Sequence, residues 1–384
     1  MFSVLHCPEQ VGGNPAVLSK FEKELGLSSI CISEKFNLYA ADSDQVLQTK
    51  NRPTWLTELY RMRLILKAFT QPGVVHLNNG RFITPFFGNG LHPREASYSN
   101  FARKLIRLYA LIMLNTEKAL YPRRRNQKAV FVTFQGSDAR ETKCFIEKYQ
   151  RNGLAQTVIG RSGQSNHSIR QKKILLSETA DKIYSLNPDL LEVLPQGAEF
   201  LPYATESTLG AKVLPFIDRE EFVVGHAPTH RIVKGTTDVI NVVEKLRSKG
   251  HKIRLELIEG LCRNEAQKKF EGIDLFIDQL VIGWYGVVSL EVLALGKPVI
   301  CFLDGKGMRF VPKAMLDESP MVNADSNTLK NEILRIMKMN HMQRSRLAEQ
   351  GISYLKKWHD PKQISQRVVN DYKSVLAGRH ISCV

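Results

Sequence analysis

The stretch that decides the fold begins with Glu221-Phe222-Val223-Val224-Gly225-His226 and ends with Pro298-Val299-Ile300-Cys301-Phe302-Leu303. Between these two apolar runs, short β-rich segments alternate with segments of helical periodicity. The sequence predicts strands at residues 221–226, 253–258, 274–278 and 298–303, and helices at residues 236–249, 264–270 and 287–295. Strands that alternate with helices are typical of parallel α/β layers.

The first half of the chain shows a similar but less regular alternation. Residues 2–7, 30–32, 74–77 and 129–134 are short β-rich runs, and residues 14–25 have helical periodicity after Gly12-Gly13. Prolines and turn-like breaks between residues 203 and 219 separate the two arrays. We therefore expect an N-terminal domain at residues 1–203, a linker at 204–219, a C-terminal domain at 220–357, and a closing helix with a tail at 358–384.

Positive charge is concentrated in one region. The chain has 384 residues, of which 43% are hydrophobic and 24% charged, and this ordinary composition excludes wholesale disorder. The formal net charge is +16, and residues 50–175 alone hold 23 Lys or Arg against 6 Asp or Glu, which gives +17. Much of this charge surrounds helix-like stretches at residues 59–67 and 101–125. Such stretches suit an anionic membrane surface, nucleic acid, or a solvated basic helix face.

The sequence gives no sign of secretion or of a membrane span. No apolar run approaches the ~20 residues that cross a bilayer. Residues 1–20 lack a basic segment followed by an apolar one, and the six cysteines lie far apart without a CxxC pair. We therefore expect a cytoplasmic protein that can contact the inner face of the membrane through its basic region.

Glu291 is the one carboxylate on a helix that is apolar on nearly every side, Val287 to Leu295. An unpartnered buried carboxylate is costly, so we expect it to meet fixed donors or a ligand. The helix follows a strand and the loop 279–286, and ligands of open parallel sheets bind beyond the carboxyl ends of the strands. Glu291 can there accept both hydroxyls of a ribose, or pair with a neighbouring lysine or backbone amides.

A second candidate segment, His226 to Thr236, also follows a strand and opens a helix. Arg231 and Lys234 would stand beside the positive end of that helix, which suits a diphosphate, although a solvated basic loop has the same composition. Other motifs are weaker. Asp42-Ser43-Asp44 is a lone DxD near a turn, and Leu295-Gly296-Lys297-Pro298 has proline where a P-loop needs Ser or Thr.

Taken in order, Arg231, Lys234-Gly235, Tyr285-Gly286, Glu291 and Ala294-Leu295-Gly296-Lys297-Pro298-Val299 form one pattern within residues 222–301. This pattern resembles the donor-binding half of the group 1 (family 4) glycosyltransferases, which have the two-domain GT-B fold. In that family a basic residue precedes Lys-Gly at a helix start. A Gly-aromatic-Gly loop and a Glu on an Ala-x-Gly-x-Pro-Val helix follow.

The N-terminal half carries a thinner resemblance to the same family. Gly12-Gly13 matches a Gly-rich turn near the donor phosphates, and Phe134 to Arg140 resembles a His-Gly-Ser-Asp-x-Arg segment at the cleft. Residues 180–183 and 201–203 resemble the end of the family's first domain. The chain departs from the pattern at Gly283, where the family has the first Glu of a pair near the donor sugar, and at Gln135, where it has a His near the reacting centre.

The resemblance implies an α/β protein of the GT-B fold. It would have two Rossmann-like domains facing across a cleft, and a C-terminal helix, residues 361–377, that crosses back to the N-terminal domain. It implies a retaining, metal-independent transfer of a sugar from a nucleotide-diphosphate sugar to a glycan or lipid-linked acceptor in surface polysaccharide assembly, with no cofactor and no nucleic-acid partner. The acceptor-side candidates are Asp138, Gln135 and Arg140, with His76 as a weaker one. The donor-binding candidates are Gly12, Gly13, Arg231, Lys234, Glu259, Gly283, Tyr285, Gly286 and Glu291.

Two other classes of function stay open at this point. The replaced Glu and His also fit a non-catalytic GT-B protein that binds a glycan or regulates a partner enzyme. A sequence pI of about 9.5 fits a nucleic-acid binder, although no recognition motif supports that class.

Overall fold

The structure is a computed structural model that describes residues 2–9, 12–35, 43–48, 54–70, 73–84, 99–123, 128–136, 138–140, 176, 178–217 and 219–381. These residues form two compact units. The C-terminal unit comprises Pro202–Pro361, and the N-terminal unit combines the described residues before Pro202 with those from Lys362 onward.

The N-terminal unit contains a seven-stranded sheet, ordered β3-β2-β1-β4-β5-β6-β7, in which all neighbouring strands are parallel. Its strands are β1 (Ser3–Cys7), β2 (Ser28–Lys35), β3 (Gln45–Gln48), β4 (Gly73–Asn78), β5 (Lys128–Phe134), β6 (Lys182–Ser185) and β7 (Glu199–Phe200). Its first helices are α1 (Asn14–Glu24), α2 (Thr54–Thr70) and α3 (Asn100–Arg123). Every residue of β4 and β5 is buried, as expected of central strands in a parallel sheet.

The C-terminal unit contains a five-stranded sheet, ordered β12-β11-β10-β8-β9, which is also parallel. Its strands are β8 (Phe222–His226), β9 (Ile253–Leu257), β10 (Leu275–Ile277), β11 (Val299–Cys301) and β12 (Val322–Asn323). Its helices are α4 (Arg231–Lys234), α5 (Thr236–Ser248), α6 (Arg263–Glu271), α7 (Val287–Leu293), α8 (Lys313–Asp317), α9 (Leu329–Met337) and α10 (His341–Trp358). Fully buried strand residues such as Leu275 and Ile300 pack with Val239 and Leu246 of α5 in its core.

The last helix, α11 (Pro361–Ile381), belongs mainly to the N-terminal unit. The Tyr372 hydroxyl donates to Glu22 of α1 over 3.2 Å and lies 2.5 Å from Nδ1 of His76 on β4. The chain therefore returns to its first unit at its C-terminal end, as predicted.

The segment predicted to be a linker, residues 204–219, lies within the C-terminal unit. The backbone N–H groups of Lys212 and Leu214 donate to the carbonyls of Ala294 and Leu295, over 2.9 and 3.2 Å. The α carbon of Val213 lies so close to Gly296 that a β carbon on the glycine would be 3.0 Å from it. These contacts attach the segment to the end of α7.

Candidate functional site

A buried ion pair lies where β8 and β10 end. Lys234, the last residue of α4, donates from Nζ to a carboxylate oxygen of Asp278, which directly follows β10. The other Asp278 oxygen accepts from the Gly286 backbone N–H over 2.6 Å and from the Ser289 hydroxyl over 2.7 Å. Burial alone would raise the pKa of Asp278, but Lys234 and these two donors hold it below its usual range. Asp278 therefore fixes both the ammonium and the start of α7.

Two glycines shape the surroundings of this ammonium. Gly235 follows Lys234 with a φ of 74°, and a β carbon there would lie 3.0 Å from the β carbon of Leu280, so glycine alone suits this turn. A β carbon at Gly286 would lie 3.5 Å from Lys234 Nζ. The absence of a side chain at residue 286 thus leaves space beside the ammonium.

A second ion pair joins two of the predicted donor-binding residues. Arg231 donates from Nε to Glu259 over 2.8 Å and from a terminal nitrogen over 2.5 Å, so the pair is bidentate. The Arg231 side chain is 57% exposed, and Glu259 follows the end of β9. Exposed pairs of this kind contribute little to stability, so an anion can replace Glu259 at little cost.

A third ion pair involves Glu291 of α7. Nε of Arg263, the first residue of α6, donates to Glu291 Oε1 over 2.8 Å. The Glu291 side chain is 9% exposed, and among the described residues Arg263 is its one polar partner. Burial raises the pKa of Glu291, and the nearby guanidinium partly opposes this effect. The sequence left open whether Glu291 meets a ligand or an internal partner. The structure shows Arg263 bonded to Oε1, and no described residue bonds to Oε2.

The loop before α7 is constrained at both Gly283 and Tyr285. A β carbon at Gly283 would overlap that of Asp304 and lie 2.7 Å from the Asp304 backbone nitrogen. Tyr285 is fully buried, and its hydroxyl lies 2.7 Å from that of Tyr354 and 3.0 Å from Nε2 of His359. Donor contact at residue 285 stays a prediction, and because the side chain of Tyr285 belongs to the core, such a contact would use its backbone.

Residues from three loops thus meet at the carboxyl ends of β8, β9 and β10, where ligands of parallel sheets bind. Three cations, Arg231, Lys234 and Arg263, are each held by one carboxylate. Sequence reasoning missed Asp278, Ser289 and Arg263. A signal existed for Asp278, because it ends an apolar strand, and for Arg263, because it begins the helix after β9.

In the N-terminal unit, Gly12 and Gly13 form the turn between β1 and α1. Their φ angles are 62° and 77°, in the left-handed region that favours glycine. The Gly13 carbonyl accepts from the Val17 N–H over 3.0 Å, which starts α1 with Pro15 in its first turn. The turn therefore places a helix N-terminus at the carboxyl end of β1.

The acceptor-side candidates form one short loop after β5. Asp138 accepts from the Gln135 backbone N–H over 3.1 Å, and Gln135 is 5% exposed. Arg140 makes a bidentate ion pair with Asp189 over 2.7 and 3.0 Å. The structure thus brings the three candidates together, with Arg140 anchoring the loop to the turn after β6.

His76, the weaker candidate, is an interior residue of the sheet. Its ring lies 2.7 Å from the Thr133 hydroxyl and stacks on His6 at a centroid distance of 4.9 Å. Burial, together with His6, keeps the pKa of His76 well below its usual value. A structural role fits this position, because both ring nitrogens have partners inside the unit.

Neither a membrane-spanning helix nor a clustered metal site occurs in the described ranges. No helix there has the length and apolarity that crossing a bilayer requires. No group of three or more His, Cys, Asp and Glu side chains in those ranges is arranged to hold a metal ion. Of the DxD segment, Asp44 bonds to Lys23 and to the Cys31 N–H, and Asp42 lies outside the described residues.

No protein-family model and no curated protein matches the sequence. Solved structures do match its fold. A sucrose-phosphate synthase from Thermosynechococcus elongatus is similar at a TM-score of 0.59 and 14% identity, over 98% of this chain and 100% of that one. Anabaena HepE in complex with UDP-glucose is similar at a TM-score of 0.59 and 11% identity, and the match covers 97% of this chain and 100% of that one. An α-glucosyltransferase in complex with UDP and DNA is similar at a TM-score of 0.58 and 10% identity, and the match covers 97% of this chain and 100% of that one.

These similarities define the fold class. The chain is an α/β protein with two parallel sheets, the GT-B fold of nucleotide-sugar glycosyltransferases, as predicted.

Proposed function

We propose that this protein is a glycosyltransferase that moves a sugar from a nucleotide-diphosphate sugar to an acceptor. The observation that carries the proposal is the set of three cation–carboxylate pairs at the carboxyl ends of β8, β9 and β10. An α-glucosyltransferase with UDP bound and HepE with UDP-glucose bound share the fold, which supports this choice of ligand. A sugar diphosphate donor offers an anion for the cations and ribose hydroxyls for a carboxylate.

Each side chain has a role that follows from its contacts. Lys234 has three ammonium protons and uses one on Asp278, so two remain for phosphate oxygens. Arg231 can exchange Glu259 for a phosphate while keeping a bidentate geometry. Oε2 of Glu291 is available to accept from ribose hydroxyls. These cations would stabilise the negative charge that develops on the leaving diphosphate.

The finer features of the proposal follow from the resemblance to the group 1 (family 4) glycosyltransferases. They are membership of that family, retention at the anomeric carbon, independence of a metal ion, and a glycan or lipid-linked acceptor in surface polysaccharide assembly. Asp138, Gln135 and Arg140 would act on the acceptor side, with Gly12 and Gly13 near the donor phosphates.

The first experiment is a thermal-shift screen of nucleotide sugars, followed by calorimetry with UDP and UDP-glucose. We expect saturable binding that Lys234→Ala weakens. Release of UDP is then measured with and without candidate acceptors. Failure of every nucleotide sugar to bind would contradict the proposal.

A second candidate is a non-catalytic protein of the same fold, favoured by Gly283 and Gln135 at positions where the family has Glu and His. Nucleotide-sugar binding without hydrolysis or transfer, across a panel of acceptors, would support it. The two candidates share the donor site and differ only in turnover.

A further inference from the structure

Two neighbouring helices of the N-terminal unit turn large apolar side chains toward solvent. On α3 the exposed residues follow the spacing i, i+4, i+7, i+11 and are Phe101, Leu105, Leu108 and Ile112. The buried residues of the same helix follow the same spacing and are Ala110, Leu114, Glu117 and Tyr121. Because an α-helix turns about 100° per residue, the exposed stripe lies opposite the face that packs on the protein.

The adjacent helix α2 adds a second stripe. Trp55, Leu59 and Leu66 are 65, 52 and 58% exposed and share one face of the helix. The Tyr109 hydroxyl of α3 lies 3.4 Å from a carboxylate oxygen of Glu58, so the two helices are neighbours. Of the 14 exposed large hydrophobic side chains in the described part of the chain, nine lie on α2 and α3. We call the two stripes together the α2–α3 apolar surface.

Positive charge accompanies the α2–α3 apolar surface. Residues 100–125 contain seven Lys or Arg and one acidic residue, Glu117, which is buried. Lys104 on α3 and Arg63 on α2 are exposed. An open groove of about 770 Å³ between α2 and the edge strand β3 is lined by apolar side chains, such as Leu66, and by Arg63 and Lys67. Cations thus border the apolar side chains on both helices.

We propose that the α2–α3 apolar surface docks onto an anionic phospholipid bilayer. Exposed apolar stripes with basic neighbours bind in the bilayer interface, where the apolar groups enter the acyl boundary and the cations meet lipid phosphates. A second copy of this chain fits the surface less well, because a self-complementary interface would bring two positively charged faces together. The proposal is independent of the three ion pairs proposed to bind the donor, which lie in the C-terminal unit.

The experiment uses the full chain and two kinds of vesicle, phosphatidylcholine alone and phosphatidylcholine with about 30% phosphatidylglycerol. We expect cosedimentation with the anionic vesicles and a strong loss of it in about 0.5 M NaCl. Leu105→Ser/Leu108→Ser should weaken binding by about tenfold or more, because both side chains leave the acyl boundary. The matched control is Leu209→Ser/Met342→Ser, which changes two residues that are 65 and 79% exposed outside this surface.

Tryptophan fluorescence gives a second, local measurement. Trp55 is exposed on the surface, whereas Trp284 is 1% exposed and Trp358 bonds to Glu318. Brominated lipid should quench part of the emission of the wild-type protein and none of that of Trp55→Phe.

Three results would overturn the proposal. The first is equal binding to neutral and anionic vesicles, and the second is equal loss of binding in the stripe variant and its control. The third is a dimer in sedimentation equilibrium that the stripe variant converts to a monomer, because the surface would then be an interface between two copies.

Discussion

Arg263 donates a hydrogen bond from Nε to Glu291 Oε1 over 2.8 Å, and this pair joins the start of α6 to the buried face of α7. The contact leaves the second carboxylate oxygen for a ligand while one oxygen stays fixed. Two residues 28 positions apart in the sequence thus define how the carboxylate is presented.

Glu291→Gln should weaken nucleotide binding without lowering the melting temperature. Hydrogen bonds to charged groups contribute about 1.5–3 kcal/mol, so we expect a loss of roughly 10- to 150-fold in affinity. Burial raises the pKa of Glu291, so the folded state holds a proton there more firmly than the unfolded chain. The free energy of unfolding therefore falls as pH rises through the folded pKa, and glutamine removes this penalty at neutral pH. Calorimetry measures the nucleotide affinity, and thermal unfolding measures the melting temperature. Unchanged affinity together with a lower melting temperature would show that Glu291 is only a core carboxylate.

Arg263→Ala should move the pH dependence of nucleotide affinity toward higher pH. The guanidinium is the charge that lowers the pKa of Glu291, and its removal raises that pKa further. Affinity that needs the ionised carboxylate is then present only at higher pH and is lost as pH falls through the raised pKa. Arg263→Lys keeps the charge and should restore most of the wild-type profile. A uniform loss of affinity at every pH would instead indicate a purely structural role.

Lys234→Ala should weaken nucleoside diphosphate binding and also destabilise the fold. The substitution leaves the Asp278 carboxylate buried without its cation, which costs about 3–5 kcal/mol in comparable pairs. The double variant Lys234→Met/Asp278→Asn removes both charges and should recover most of the free energy of unfolding. It should not recover diphosphate affinity, because the ammonium is still absent. Equal diphosphate affinity in wild type and the double variant would remove Lys234 from the donor site.

Gly283→Ala should lower the free energy of unfolding by about 1–3 kcal/mol, because its β carbon overlaps that of Asp304. Gly305→Ala is the matched control, since a β carbon at residue 305 meets no atom within 4 Å. Chemical denaturation compares the two. An unchanged free energy of unfolding in Gly283→Ala would mean that the loop containing Asp304 can move away. A larger residue would then fit at position 283.

Glycosyl transfer, once an acceptor is found, should persist in excess EDTA. Lys234 and Arg231 would carry the charge of the leaving diphosphate, so no divalent cation is needed. The control is the same reaction with EDTA that has been saturated with calcium. Loss of activity in EDTA that Mn²⁺ or Mg²⁺ restores would contradict this mechanism.

Local patterns in the sequence were sufficient for most of the fold. The runs at residues 129–134 and 222–226 are rich in apolar and β-branched residues because central parallel strands are buried on both faces, and this composition identifies them. The short strands β3, β6, β7 and β12, of two to four residues, escaped prediction. A pattern so short has no recognisable period, and pairing with a neighbour decides it.

The sequence by itself also determined which residue types stand near the candidate site, because Arg231, Lys234 and Glu291 follow strands in a recognisable order. Only the tertiary structure decided their partners. The Lys234–Asp278 and Arg263–Glu291 pairs join residues 44 and 28 positions apart. Likewise, residue 283 is glycine because Asp304, from another loop, approaches its backbone. Such contacts form because parallel strands bring their loops to one edge of a sheet. The spacing of residues within one segment therefore cannot predict them.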